Sequence, residues 1–219
     1  MHITSEKLTG LLFDALRRMD EEATSLTKTG QPTGLSDYGR HARKDLSKPQ
    51  AEVVWSRRLA QLIAPHVTQV RTEVRYPDYA VPDARKRQRC DLVVQLDSRQ
   101  SIWIEVKGAW RDYWGGDNRI YRCYLLHPLV SDADAGKTHT VPFDFAKLAA
   151  LHAPEADHVA ELLIGFENPE DSMLDDVATL VELAHLSEWS GSETSWMSPS
   201  VPNQRVRGWF WHRPVTGKI

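Results

Sequence analysis

The sequence predicts an α/β fold, a central sheet flanked by helices, and three observations lead to it. Leu8, Leu11, Leu12, Ala15, Leu16 and Met19 recur at helical spacing, and Trp55, Leu59, Leu62 and Ile63 repeat that pattern further along. The stretch "HVTQVRTEVRYP" at 66–77 alternates with period two, as a strand with one wet face does. The stretch "RQRCDLVVQLDSRQSIWIEVKG" at 87–108 then holds two short apolar runs joined by a polar connector of the kind that closes a hairpin. Three sequential strands between helices favour an α/β layer over an all-β barrel.

Taken in order, 5–24 is expected to be an amphipathic helix, and 25–48, rich in polar groups and glycine, a loop. A second helix is expected from near Pro49 to about Ala64, because proline is tolerated in a first helical turn and Pro65 blocks its continuation. The first strand carries Val70, Thr72, Val74 and Tyr76 on one face and a charged cluster of Arg71, Glu73 and Arg75 on the other. Residues 77–87 turn the chain, 88–97 and 100–107 are strands, and "DSRQ" connects them. Helices near 117–127 and 143–152, a hydrophobic strand "VAELLIGF" at 159–166 and a helix at 173–186 come next. A Ser- and Trp-containing loop then precedes the strand-like "RVRGWFWH" at 205–212. The expected organisation is an N-terminal helix and loop (1–48), a core (49–166) and a C-terminal helix and strand extension (167–219) of the same domain.

A chain of 219 residues that is 41% hydrophobic can bury a real core. The net charge of −3 gives no global basic signature, so nucleic-acid binding would need a local patch. Cys90 and Cys123 are too few for a disulfide framework or a cysteine-based zinc site, which points to a reducing compartment. The N-terminal segment lacks the features of a secretory signal, and no apolar run is long enough to span a membrane. A cytoplasmic protein is the expectation. Neither a phosphate-cradling Gly-Lys motif nor a serine, histidine and acid triad is evident, and the single histidines define no zinc site.

The chemistry concentrates in the hairpin. Alternation puts Asp91, Val93 and Gln95 on one face of its first strand, and Trp103, Glu105 and Lys107 on one face of its second. With the charged faces together, two carboxylates and a lysine project from a rigid support. Paired carboxylates repel and a lysine is costly to desolvate, so a bound divalent cation would relieve the conflict. Oxygen ligands suit Mg²⁺, with Mn²⁺ as its substitute, and such an ion polarises a phosphoryl oxygen and acidifies an attacking water. The simpler alternative is a solvated Glu105–Lys107 ion pair on an ordinary strand.

Asp91 at the start of "DLVV", followed after an interval by Glu105-Val106-Lys107 inside "IWIEVKG", resembles the hallmark of the PD-(D/E)xK, or restriction-endonuclease-like, nuclease superfamily. The resemblance covers 49–166 and implies a restriction-endonuclease-like core with a central mixed sheet: a helix, three antiparallel strands, a helix and a further strand. It implies Mg²⁺-dependent phosphodiester cleavage, with Asp91, Glu105 and the Val106 carbonyl holding the metal and Lys107 as the catalytic lysine. Many members take an acidic residue from the first helix. Glu52 fits that role, three and seven positions before Trp55 and Leu59, although a first-turn glutamate also suits the helix dipole. Cys90 stands where the family name has proline. Pro77-Asp78 and Pro82-Asp83 match that name more literally but lie in a turn-rich segment. Asn118, Arg119 and Arg122 are candidates for the polar group that the following helix commonly contributes.

Arg85, Lys86, Arg87 and Arg89 form a basic patch just before Asp91, suited to phosphate contacts that read no sequence. The stretch "WRDYWGG" adds Trp110 and Arg111 as candidate contacts, with Trp110, Tyr113 and Trp114 alternatively covering the edge of the core. The leading expectation is a metal-dependent DNA endonuclease in defence against foreign DNA or in DNA repair. The alternatives are an RNA nuclease and a non-catalytic nucleic-acid-binding or assembly subunit. A homodimer or a partner protein subunit is compatible with any of them.

Overall fold

The computed structural model describes residues 4–27, 35–36, 51–77, 88–97, 100–111, 125–126, 140–152 and 156–215. The described helices are α1 (Ser5–Thr27), α2 (Ala51–Ile63), α3 (Val141–Ala149) and α4 (Leu174–Leu183). The strands are β1 (Gln69–Arg75), β2 (Arg89–Gln95), β3 (Ser101–Trp110), β4 (His158–Glu167), β5 (Ser190–Met197) and β6 (Arg205–Pro214). They form one mixed sheet in the order β1-β2-β3-β4-β6-β5, in which only β3 and β4 run parallel. That parallel pair needs a crossover rather than a tight turn, and α3 lies in the connection.

Side-chain alternation divides the sheet into two faces with different partners. One face carries Leu92, Val94, Ile102, Ile104, Val106, Ala160, Leu162 and Ile164, buried against Leu8, Leu12 and Leu16 of α1 and Trp55, Leu59 and Ile63 of α2. The other is covered by α3 and α4 in two separate apolar clusters. Ala109, Leu163, Trp209 and Trp211 pack with Phe145 of α3 and Val177 and Leu180 of α4. Val93, Trp103 and Val159 pack with Leu148 and Leu151 at the far end of α3. The sheet residues between these clusters are polar, and the candidate site lies there.

The strands β1 to β3 lie close to their expected spans, and the hairpin closes as expected, with the Gln100 amide donating to Asp97 Oδ1 at 2.9 Å. Three readings need correction. Residues 190–197 form a strand instead of a loop. β5 is an edge strand paired only to β6, and most of its side chains stay in water, so "SGSETSWM" carries no apolar alternation to read. The helix expected at 143–152 is Val141–Ala149, because Pro142 sits in its first turn. The helix expected at 173–186 ends at Leu183, followed by a 3-10 turn at Leu186–Glu188. The single apolar face expected for β1 is also split, since Glu73 adopts a left-handed φ of 55°: Val70 packs with the cluster under α1 and α2, whereas Val74 and Tyr76 pack with the cluster of Trp103 and Leu148. The helix expected at 117–127 and Cys123 lie outside the described residues, apart from Leu125 and Leu126, which are helical. Among the described residues, no helix is long and apolar enough to cross a membrane.

Candidate functional site

The paired register between β2 and β3 runs from Gln95↔Ser101 to Leu92↔Ile104. Its continuation would set Asp91 opposite Glu105. There a side chain takes over from the backbone ladder, since the Val106 amide donates to Asp91 Oδ2 at 2.8 Å. Val106 itself points its side chain into the opposite, apolar face. On the other side of β3, Glu105 is the register partner of Glu161 in β4. Three carboxyl groups from three adjacent strands thus line one stripe of the sheet, and all three are buried.

The helix α3 lays a second tier over them. Lys147 Nζ lies 2.8 Å from Glu105 Oε1 and 2.5 Å from Asp144 Oδ1. Lys107, two residues along the same face of β3, reaches Asp144 Oδ2 at 3.1 Å. Tyr76, just past β1, donates its hydroxyl to Glu105 Oε1 at 2.6 Å. Asp144 and Lys147 are one helical turn apart, so both point down at the sheet while Phe145 and Leu148 enter the two flanking apolar clusters. The sequence reading missed Asp144, Lys147 and Glu161. Its available signal was a lone glutamate inside the apolar run "VAELLIGF" and an i, i+3 charge pair inside "VPFDFAKLAA".

Electrostatics differ sharply among these neighbours. Burial alone would raise Glu105, but the charges of Lys147 and Lys107 and the hydrogen bonds from Lys147 and Tyr76 hold it down to about 2. Asp91 moves the other way, pushed well up by burial and by the Glu105 charge, with Lys107 and the Val106 amide opposing. Glu161 is likewise pushed well up, by burial first and then by Asp144 and Glu105. Burial lowers Lys147, yet Glu105 and Asp144 more than compensate and raise it. Neither oxygen of Glu161 has a hydrogen-bond partner. Among the described residues, no group of three or more His, Cys, Asp or Glu side chains is gathered closely enough to hold a metal ion as they stand.

The remaining candidates separate. Glu52 is half-buried in the first turn of α2, the helix that packs on the opposite face, and among the described residues no hydrogen bond or ion pair joins it to the stripe. Trp110 is 4% exposed and stacks on Phe166 with centroids 4.8 Å apart, so its ring belongs to the core and is not presented to a base. Arg111 is committed internally, bridging Asp171 at 2.7 Å and Asp176 at 2.8 Å and donating to the Ser172 carbonyl. These ties fasten β3 to the start of α4 and remove Arg111 as a free phosphate contact. Arg89 is exposed at the start of β2, two residues from Asp91, and donates to the Glu73 carbonyl at 2.8 Å. Arg85, Lys86, Arg87, Asn118, Arg119 and Arg122 lie outside the described residues.

Cys90 is a buried free thiol whose pKa is pushed up by burial and by the neighbouring carboxylates, the opposite of what a nucleophilic cysteine needs. The composition of the stripe sets its chemistry. It presents hard oxygen donors and two ammonium groups between apolar clusters, where charges interact more strongly than in water. Comparison with protein-family models, with curated proteins and with solved structures returns no match.

Proposed function

We propose that the chain is a metal-dependent nuclease of the PD-(D/E)xK, restriction-endonuclease-like type, hydrolysing DNA phosphodiester bonds. The observation that carries this reading is the meeting of Asp91 and Glu105 at the end of the β2–β3 ladder, with Lys107 two residues along the same face. The succession α2, β1 to β3, α3, β4 supports it, because it repeats the helix, three strands, helix and strand that the resemblance implies.

The donor set suits a divalent cation. Among the described residues, Asp91, Glu105, Asp144 and Glu161 face only Lys107 and Lys147, four potential negative charges against two positive. Ionising all four without a counter-ion is costly, which is why Asp91 and Glu161 are pushed up, and oxygen donors match Mg²⁺ or Mn²⁺. Asp91 and Glu105 would hold the ion with the Val106 carbonyl. When bound, it supplies Lewis acidity toward a phosphate oxygen and a more acidic water.

The chain's own groups do the rest. Lys147 and Tyr76 keep Glu105 ionised and oriented. Asp144 holds the Lys107 ammonium on the site face, where it neutralises charge developing at the phosphate. The apolar clusters on both sides flank the stripe and strengthen the interactions of its charges.

A non-catalytic nucleic-acid-binding subunit is the second reading. Its support is that Glu105 already has Lys147 and Tyr76 as partners and so is satisfied without an ion. Incubation of purified protein with plasmid, linear duplex, single-stranded DNA and RNA, with Mg²⁺ or Mn²⁺, separates the two. Under the first reading, Lys107→Ala keeps the fold and lowers single-turnover cleavage at saturating DNA by about 10²-fold, the scale of losing one transition-state charge contact. An unchanged rate rejects the role of Lys107. Binding with no metal-dependent cleavage of any substrate selects the scaffold, and cleavage of RNA alone changes the substrate.

A further inference from the structure

We infer that Glu161 is a cation ligand of the same stripe, so that a Mg²⁺ or Mn²⁺ ion is shared between β3 and β4 through Glu105 and Glu161. The inference rests on the reading of Asp91 and Glu105 as a divalent-cation site, and it adds a residue from a strand that the hairpin motif does not include.

Glu161 is the one charged side chain between Val159 and Phe166, in the middle of a fully buried stretch. It is 0% exposed, yet neither carboxylate oxygen accepts a hydrogen bond. Buried carboxylates ordinarily have such partners, and a purely structural glutamate in this position would be expected to hold one. Lys147, the ammonium of α3 that overlies the stripe, is bonded to Glu105 and Asp144 instead.

The register is the second observation. Glu105 and Glu161 are direct partners across the parallel β3–β4 pair and so point to the same face. Neighbouring strands lie about 4.8 Å apart, a spacing at which two carboxylates can close on one hard cation with small side-chain adjustments. Among the described residues the strongest charges acting on Glu161 are those of Asp144 and Glu105, which oppose its ionisation, and of Lys107 and Lys147, which favour it. A divalent ion supplies the missing positive charge and the missing coordination of Glu161 together.

Mn²⁺ binding to the full chain, followed by calorimetry without nucleic acid, tests the assignment. Glu161→Gln keeps the shape and removes the charge. It is expected to weaken Mn²⁺ binding by about tenfold or more, the scale seen when the polar surroundings of a metal site are disrupted, with circular dichroism unchanged. Unaltered affinity in Glu161→Gln, beside lost affinity in Asp91→Asn, overturns the role of Glu161 and leaves the Asp91–Glu105 site intact. If the glutamine variant does not fold, Glu161→Asp retains the charge on a shorter stem. Weakened Mn²⁺ binding then supports the inference, and wild-type affinity overturns it. Mn²⁺ binding that needs Glu161 in a protein that cuts no nucleic acid sustains this inference and rejects the nuclease reading. Absence of Mn²⁺ binding in the wild type overturns both.

Discussion

Glu105 illustrates how one side chain is set by its partners rather than by its strand. Its pKa of about 2 lies below the ordinary 4.5, a depressed value, so its stabilisation is present above about pH 4.5 and is lost as pH falls toward 2. Asp91 and Glu161 have raised values, so their contributions run oppositely, present at low pH and lost as pH rises through their folded-state values. Lys147→Met removes the ammonium that Glu105 shares with Asp144. Removing one partner of a buried ion pair costs about 3–5 kcal/mol at pH 7. Without Lys147 the burial of Glu105 is opposed only by Lys107 and Tyr76, its pKa rises, and the stability gap to wild type narrows as pH falls toward 3. Urea melts of both proteins at pH 7 and pH 3 measure that gap, and a gap that does not change with pH contradicts the assignment. Trp110 and Arg111 teach the converse. Both are residue types suited to nucleic-acid contact, but one stacks in the core and the other braces α4, and residue type does not tell these apart.

At the scale of elements, β3 carries the most constraint, with Glu105 and Lys107 facing α3 while its other face packs on α2. Gly108 allows this. A Cβ there would lie 2.5 Å from Trp110 Cη2 and 2.7 Å from Trp55 Cζ3, inside the ring stack that joins strand to helix. Gly108→Ala is therefore expected to cost about 1–3 kcal/mol as an overpacked core position. Chemical denaturation reads it directly, and wild-type stability would mean the rings move aside freely. The helix α3 has the complementary task. It is short, yet its two charges and its two apolar contacts share one face because they fall within a turn of each other. β5 marks the limit of reading elements locally, since an edge strand in water is defined by its hydrogen bonds to β6 and not by its own pattern.

At the scale of the whole molecule, segments far apart in the chain are tied together by a buried acid. Asp20 of α1 accepts hydrogen bonds from Ser36 at 2.7 Å, Trp196 Nε1 at 2.9 Å, and Ser198 and Ser200 at 3.2 Å each. Asp20→Ala removes this shared acceptor, and of the four donors only Ser36 is fully buried. The one fully buried orphan costs about 1–3 kcal/mol and water can reach the part-buried donors, so the expected net loss is about 2 kcal/mol. Global stability falls by that amount if the network joins α1 to β5 as a unit. A loss below half a kcal/mol (the level of an ordinary surface change, roughly 0.5 kcal/mol) would show α1 and β5 to be independently held.

The sequence by itself determined the α/β class, the β1–β3 succession and the side-chain alternation that puts Asp91, Glu105 and Lys107 on one face, because period and turn chemistry act over a few residues. Only the tertiary structure decided what surrounds that face. The pairing of β4 with β3 brings Glu161 beside Glu105 across more than fifty residues of chain, and the crossover helix brings Asp144 and Lys147 over both. Such partners are chosen by strand register and helix placement, which depend on burying apolar surface throughout the chain and leave no local mark on the residues that meet.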